Sequence, residues 1–552
     1  MRDLDNQGFS GQRAEPRNNV LRRMTKKIRT RYVILIVCCV SSISWRPAPS
    51  QAQVRQSGER AGPYKTLVIR DATVIDGTGA PARGPMDIVI KNDIITALVT
   101  RDSIVMGAAG AQRPTGDRII EAKGMYVMPG IVDLHTHMDD VLPNDYIYKL
   151  WLAHGITTVR VFNVNSGKPD DMVAEKRKIA AGDVDGPRMY VYPFWQGDSS
   201  EDTRISNPDG ARELVREWKA KGVDGIKILG KPGLYPDVLR AICDEARGNG
   251  MRVAVHIGQD GVYPMNALEV ARAGVSTIEH HYGYPEAAFS DTTIQRLPPD
   301  YNYSNEPDRF RYTGEVWLET DLNKLHGGVM DALLGIAQKT GFTMVPTFVL
   351  YEGNRDVERV QRLPWHDRFT MPTVMDYWRP NPAHHASIYY HWTSSDEAVW
   401  ARMYERWFDF VNDYKNHGGR VGVGSDPGAV YNLWGFGTIR ELELLEDAGF
   451  TALETIHSAT EVGAEALGND RLGVIRPGYQ ADLVIVTQNP LDDIKVLYGT
   501  GAERVSPDGN VNHIAGVMYT VCRGVVFDAQ AMLRDVENMV KQAKQKAAHA
   551  GS

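Results

Sequence analysis

The stretch Gly130-Ile-Val-Asp-Leu-His-Thr-His137 is an apolar run that ends in two histidines one residue apart. Alternate side chains of a strand share a face, so a strand here places His135 and His137 side by side and offers two imidazoles to one metal ion. Paired histidines also occur as hydrogen-bonded core residues, so the pair acquires meaning only from what the rest of the chain brings to it.

Working outward, apolar strand patterns alternate with helical ones, the βα signature of a parallel sheet. Eight such strands are read around Ile131–His135, Thr157–Val161, Arg188–Tyr192, Gly225–Leu229, Arg252–Ile257, Ser276–Glu279, Thr343–Thr347 and Val421–Gly424. Helical patterns at Gly210–Lys221, Pro236–Gly248, Pro264–Ala273 and Thr438–Ala448 fall between several of them. Eight βα units predict a TIM (β/α)8 barrel over residues 129–469, with active-site groups at the C-terminal ends of the strands. Ligand-type residues fall there. Strand five ends in Val253-Ala-Val-His-Ile257, strand six in Thr277-Ile-Glu-His-His281 and strand eight in Gly422-Val-Gly-Ser-Asp426. Imidazole and carboxylate together suit a borderline divalent ion, zinc first. Strand four, Asp224-Gly-Ile-Lys-Ile-Leu229, carries a lysine among apolar residues. A buried ammonium is unfavourable, so Lys227 snorkels, pairs with an acid, or is chemically altered. Beside metal ligands, carboxylation is the better reading, because it converts an unwelcome cation into a bidentate anion able to bridge two ions.

Two connections are long: about sixty residues between strands six and seven and about seventy between seven and eight, well beyond a helix and short loops. The insertions, at about 285–342 and 351–418, are rich in aromatics, including Trp365, Tyr377, Trp378, Tyr389, Tyr390, Trp392 and Trp400. Two readings stand: a lid or substrate wall over the barrel mouth, or a helical excursion with its own core or a subunit interface.

β-rich, Gly-punctuated segments bracket the barrel at residues 64–128 and 470–533, which predicts one composite β-sandwich domain made from both chain ends. A helix-prone tail, 534–552, is expected on the surface. At 552 residues and 43% hydrophobic content the chain supports a large core. The formal charge is -7, but residues 1–52 hold ten Lys/Arg and three Asp/Glu, so without them it would be -14. An acidic protein is a poor nucleic-acid binder. Lys26, Lys27, Arg29 and Arg31 precede the apolar Tyr32–Val40, and small residues at Ser50 and Ala52 follow. This pattern predicts a signal peptide cleaved near Ala52, export to the periplasm and no stable membrane association afterwards; the run is short for a membrane span. Cys243 and Cys522 stay in the mature chain, too few for a disulfide framework.

The motif set resembles the amidohydrolase superfamily of metal-dependent hydrolases, most of all its imidazolonepropionase-like and Xaa-Pro dipeptidase-type members. The resemblance is carried by Pro129-Gly-Ile-Val-Asp-Leu-His-Thr-His137, Ile226-Lys-Ile228, the histidines of strands five and six, Gly-Ser-Asp426 and Leu472-Gly-Val-Ile-Arg-Pro-Gly-Tyr-Gln-Ala-Asp-Leu-Val484. It implies that His135, His137 and Asp426 hold a first metal and His256 and His280 a second, two zinc ions in all, with carboxylated Lys227 as the bridge. His280 is chosen over His281 because the motif puts the ligand directly after Ile-Glu. A divalent ion lowers the pKa of a bound water to about 7, and Asp426 would be the catalytic proton carrier.

Nucleobase deaminases of this type follow the strand-five histidine with a glutamate three residues on. Here that position is Gln259, whose amide cannot carry a proton. The expectation is therefore hydrolysis of a C–N amide or peptide bond in a dipeptide or N-acyl amino acid, with Tyr282, Tyr284 and Arg160 as substrate contacts. A mononuclear deaminase, a cyclic amide or lactone hydrolase, and a non-catalytic barrel protein stay open as alternatives, as does homo-oligomerisation.

Overall fold

The structure, a computed structural model, describes residues 59–101, 113–138, 141–163, 167–195, 206–230, 234–258, 265–290, 293, 297–302, 305–389 and 391–550. The expected signal segment 1–52, Gln259 and Tyr390 lie outside the described residues.

All eight expected strands are present and run parallel, in an α/β arrangement. Ile131–Thr136, Ile156–Val161 and Arg188–Val191 form one sheet. Phe194–Trp195, Gly225–Leu229, Arg252–His256, Thr277–Glu279, Thr343–Val345 and Arg420–Val421 form the next. The break inside strand three falls beside Pro193, which has no N–H to give to a ladder. Its carbonyl still accepts from Lys227 N at 3.0 Å, and Val191 O from Asp224 N at 3.1 Å. At the other margin, Leu134 N donates to Val423 O at 2.8 Å and Asp426 N to His135 O at 2.7 Å, tying the first strand to the eighth. Strand eight pairs regularly only over Arg420–Val421, because beyond that it passes through Gly422 and Gly424. A Cβ on Gly424 would meet Val345 Cγ1 at 2.5 Å and His135 Cβ at 2.7 Å, so only glycine allows this approach.

The helices follow from local chemistry. Pro208–Lys221 begins with proline at its start, where no N–H is needed, and the Asn207 side chain accepts from Gly210 N. Gly222 ends it in the left-handed region.

A nine-stranded mixed sheet draws its strands from both bracketing segments. Leu483–Val486 lies antiparallel between Tyr126–Pro129 and Val517–Cys522. Gly130 then leaves this sheet for the first parallel strand, its N–H on Asp482 O at 2.7 Å. The two regions share a core, since Val484, Val517 and Phe527 belong to the same apolar cluster as Ile131 and Trp151. The C-terminal helix, Ala529–Ala550, starts earlier than the expected tail, its first turn held by Asp528 Oδ1 accepting from Ala531 N. It is no loose tail: Met532, Leu533, Val536 and Val540 are buried.

The insertions are helical, chiefly Glu306–Glu319, Met330–Thr340, Phe348–Arg355 and Ser394–Asn416. Trp317, Trp378, Trp400 and Trp407 are fully buried, and they belong to the same apolar cluster as Ile131 and Trp151 of the barrel strands and helices rather than to a separate core. Among the described residues, no helix is long and apolar enough to cross a membrane.

Candidate metal centre

Strand ends one, four, five, six and eight converge. Nε2 of His135 and of His137 lie 3.4 Å apart, and they stand 3.4 and 3.3 Å from Asp426 Oδ2 and Oδ1. His280 Nε2 lies 3.6 Å from Asp426 Oδ2. Donor atoms of His135, His280 and Asp426 all fall within 4.8 Å of one another, so His280, expected beside a second ion, also reaches the carboxylate of the first. The His256 ring is 4.3 Å from that of His280, centroid to centroid. Lys227 is buried, with Nζ 4.1 Å above the Phe162 ring, whose edge contacts His135.

The hydrogen bonds set the tautomers. Glu279 Oε2 is 2.6 Å from His135 Nδ1, Asn163 Oδ1 is 2.9 Å from His137 Nδ1 and Thr347 Oγ1 is 2.5 Å from His280 Nδ1. The Thr347 hydroxyl already donates to Pro346 O, and the Asn163 amide N–H donates to Met138 O, so each histidine finds an acceptor at Nδ1. All three rings are thereby protonated on Nδ1 and present the Nε2 lone pair inward, the arrangement that outer partners impose on metal-binding imidazoles. Burial pushes the imidazolium forms of His135, His256 and His280 well below the usual range and His137 to about 3, keeping the rings neutral. Burial also raises Asp426 to about 7, against the opposing pull of Lys227 and His385, and lowers Lys227 to about 8.

Backbone strain is concentrated at the same rim. His280, Thr347 and Asp426 have φ of 65°, 53° and 50°, left-handed values at the ends of strands six, seven and eight. Such conformations persist where the surroundings over-determine them. Asp133 does so for Asp426: it accepts from His135 N and Ser425 N at 3.0 Å each, and from the Ser425 and Thr438 hydroxyls.

The structure separates the two adjacent histidines. His281 is buried away from the carboxylate among Tyr282, Tyr351, Trp407 and Trp400, at ring distances of 4.0, 4.7, 4.9 and 5.7 Å. Of the expected substrate contacts, Tyr282 stacks on His256 at 5.4 Å. Tyr284 is buried beside Phe410. Arg160 is fully buried beneath the ligands and committed to the protein: it donates to Leu134 O, to Thr277 Oγ1 at 3.0 Å and to Glu279 Oε1 at 2.8 Å. Its observed role is to hold Glu279 against His135. Sequence reading passed over Glu279, Asn163 and Thr347. A carboxylate inside the buried strand Thr277-Ile-Glu279 was a visible signal; the other two carry none locally.

The residues fit a divalent ion. Among the described residues, the buried Lys227 Nζ and His280 Nε2 of this cluster have no hydrogen-bond partner. The donor set is neutral nitrogen plus carboxylate oxygen, as borderline metals prefer.

Comparison with known proteins agrees. The model of the amidohydrolase family matches residues 126–296 and 405–524, more than half of the chain. The chain belongs to the amidohydrolase family. It is similar to a dihydroorotase of Anaeromyxobacter dehalogenans, 27% identical over 199 residues, 34% of this chain and 41% of that protein. The match thus spans less than half of that relative's length. Among solved structures, it resembles a Xaa-Pro dipeptidase with methionine bound in the active site, at 19% identity and a TM-score of 0.54, over 84% of this chain and 100% of that one. A bottromycin amidohydrolase gives 19% identity and a TM-score of 0.59, over 87% and 91%.

Proposed function

We propose that the protein is an exported, metal-dependent amidohydrolase that cleaves a C–N amide bond in a dipeptide or N-acyl amino acid. The observation that carries this reading is the set of three neutral imidazoles, each locked at Nδ1, whose Nε2 atoms surround one carboxylate. The bonds between strands one and eight support a closed barrel as the frame.

His135, His137 and Asp426 would hold one zinc ion and His256 and His280 another. Lys227, carboxylated, would bridge them: its neutral Nζ adds to carbon dioxide, forming an N–C bond and releasing a proton. Ions in these positions supply Lewis acidity, which makes water nucleophilic near neutral pH and polarises the scissile carbonyl. Asp426 then takes the proton from the attacking water and delivers it to the leaving amine. Its left-handed backbone aims the carboxylate at three histidines, and the Asp133 network prevents it from swinging away. Glu279 and Arg160 act one layer out, by keeping His135 Nε2 directed inward. Tyr282, against His256, would line the substrate.

A cyclic amide substrate is the second reading, favoured by the likeness to dihydroorotase. The test is metal analysis of the purified mature protein together with a panel of dipeptides, N-acyl amino acids, lactones and cyclic imides. Two ions per chain and cleavage of linear amides are expected. One ion, with ammonia released from aminated heterocycles, would replace the reading with a deaminase.

A further inference from the structure

Two residues from the separate insertions meet beside segments that pack on the site. Glu306 opens the helix Glu306–Glu319, and His385 begins the short turn His385–Ser387. His385 Nδ1 lies 2.7 Å from Glu306 Oε1. Each is tied to the site by its neighbours. Ala386 O accepts from Val430 N at 3.2 Å, just beyond Asp426 in the chain. One turn along from Glu306, the Phe310 ring stands 6.1 Å from Tyr351, whose ring is 5.5 Å from His280.

The pair is electrically part of the site. His385 acts electrostatically on His137, His256 and Asp426, while the negative charge of Glu306 and the positive charge of Arg309 act in opposite directions on Tyr282. Yet the pair does no packing comparable to that of its aromatic neighbours: the His385 side chain is 66% exposed and that of Glu306 32%. With Nδ1–H donated to Glu306, the imidazole keeps its second ring nitrogen for another partner, and the hydrogen bond to the acid raises its pKa.

We propose that His385, oriented by Glu306, pairs with the free carboxylate of the substrate and makes the enzyme select amides whose amino-acid end is unblocked. This rests on the amide-hydrolase reading. The substrate then spans from an anion-binding position on the insertions to the metal ligands on the strand ends. Both insertions are needed, since each supplies one member of the pair. A charge-assisted hydrogen bond to a carboxylate is worth about 10- to 100-fold in recognition.

The test compares kcat/KM for dipeptides and N-acyl amino acids with that for their C-terminal amides, using metal-loaded mature wild type, His385→Gln and Glu306→Gln. The wild type is expected to prefer the free acids by at least about tenfold. His385→Gln should collapse that acid-to-amide ratio, chiefly through KM, and Glu306→Gln should lower it less. The ratio does not depend on the folded fraction, so it survives a loss of yield, and Glu306→Gln reads the same ratio should His385→Gln not fold. An unchanged ratio in both variants, or a wild type that cleaves acids and amides equally, overturns the proposal while leaving the amide-hydrolase reading intact. Failure of that reading looks different: the wild type cleaves neither series but turns over lactones, cyclic imides or aminated heterocycles, and the proposal falls with it.

Discussion

Two buried charged clusters lie close together in this molecule and are built on opposite plans. Around Glu352 the protein completes every interaction itself. Arg440 grips the carboxylate through Nε at 3.0 Å and a terminal nitrogen at 2.7 Å, Arg359 adds a close contact and Arg355 a longer one at 3.4 Å. At the strand ends, by contrast, His135, His137 and His280 are satisfied on one nitrogen and turn the other toward Asp426. Burial acts on both clusters, but only the first is compensated. Burial would raise Glu352, yet its arginines hold it down at about 2, whereas Asp426 is raised to about 7. A buried polar cluster that the chain completes is structural; one that converges on an unfilled set of lone pairs is built for something brought from outside.

Four experiments would break or sharpen this contrast. The largest effect is expected at Lys227. Lys227→Ala should lower kcat/KM roughly ten-thousand-fold, with partial rescue by a short-chain carboxylic acid standing in for the carbamate. Full activity without Lys227 would sink the two-ion site. Next comes Arg440→Met, which strands a buried carboxylate and should destabilise the fold by about 3–5 kcal/mol in urea unfolding. Metal content at 25 °C should nevertheless match the wild type; joint loss of metal and stability would show that the clusters are one unit.

The third concerns pH. Glu352 has a folded pKa of about 2 against an ordinary 4.5, so the unfolded chain binds its proton first on acidification. Its stabilisation, about 3 kcal/mol by linkage, is complete above pH 5 and lost as pH falls through 4.5 toward 2. The stability difference between wild type and Glu352→Gln should shrink over that window, and a difference independent of pH would contradict the pairing. The smallest effect is expected from Glu279→Gln, which removes the acceptor charge behind His135. Metal affinity should fall about 10- to 100-fold in chelator competition, and the fold should lose stability as well, because the buried Arg160 is left without its carboxylate partner.

Much of the fold was legible because the barrel strands are continuous apolar runs separated by helix signals. Pro236–Gly248 was read to the residue, since proline opens the helix and the apolar spacing sustains it. Boundaries failed where backbone chemistry interrupted the pattern, at Pro193 and through Gly422 and Gly424. In the site, the histidines and Asp426 were readable because each ends an apolar strand, where a polar side chain needs a reason. Arg160 was read as a substrate contact because a sequence shows that a charge stands on a strand but not which way it faces. Glu306 and His385 carried no signal at all, since each lies in a long insertion and acquires meaning only from the other.

The sequence by itself determined which imidazole and carboxylate side chains stand at the strand ends, and so the kind of centre proposed for this protein. That information is local, because strand periodicity assigns side chains to faces. Only the tertiary structure decided between His280 and His281, one facing Asp426 and the other sealed among aromatic rings. It alone revealed Glu279 behind His135, 144 positions away in the chain. Such choices turn on which distant strand end or insertion comes to lie beside a ring nitrogen, and no spacing along the chain encodes that.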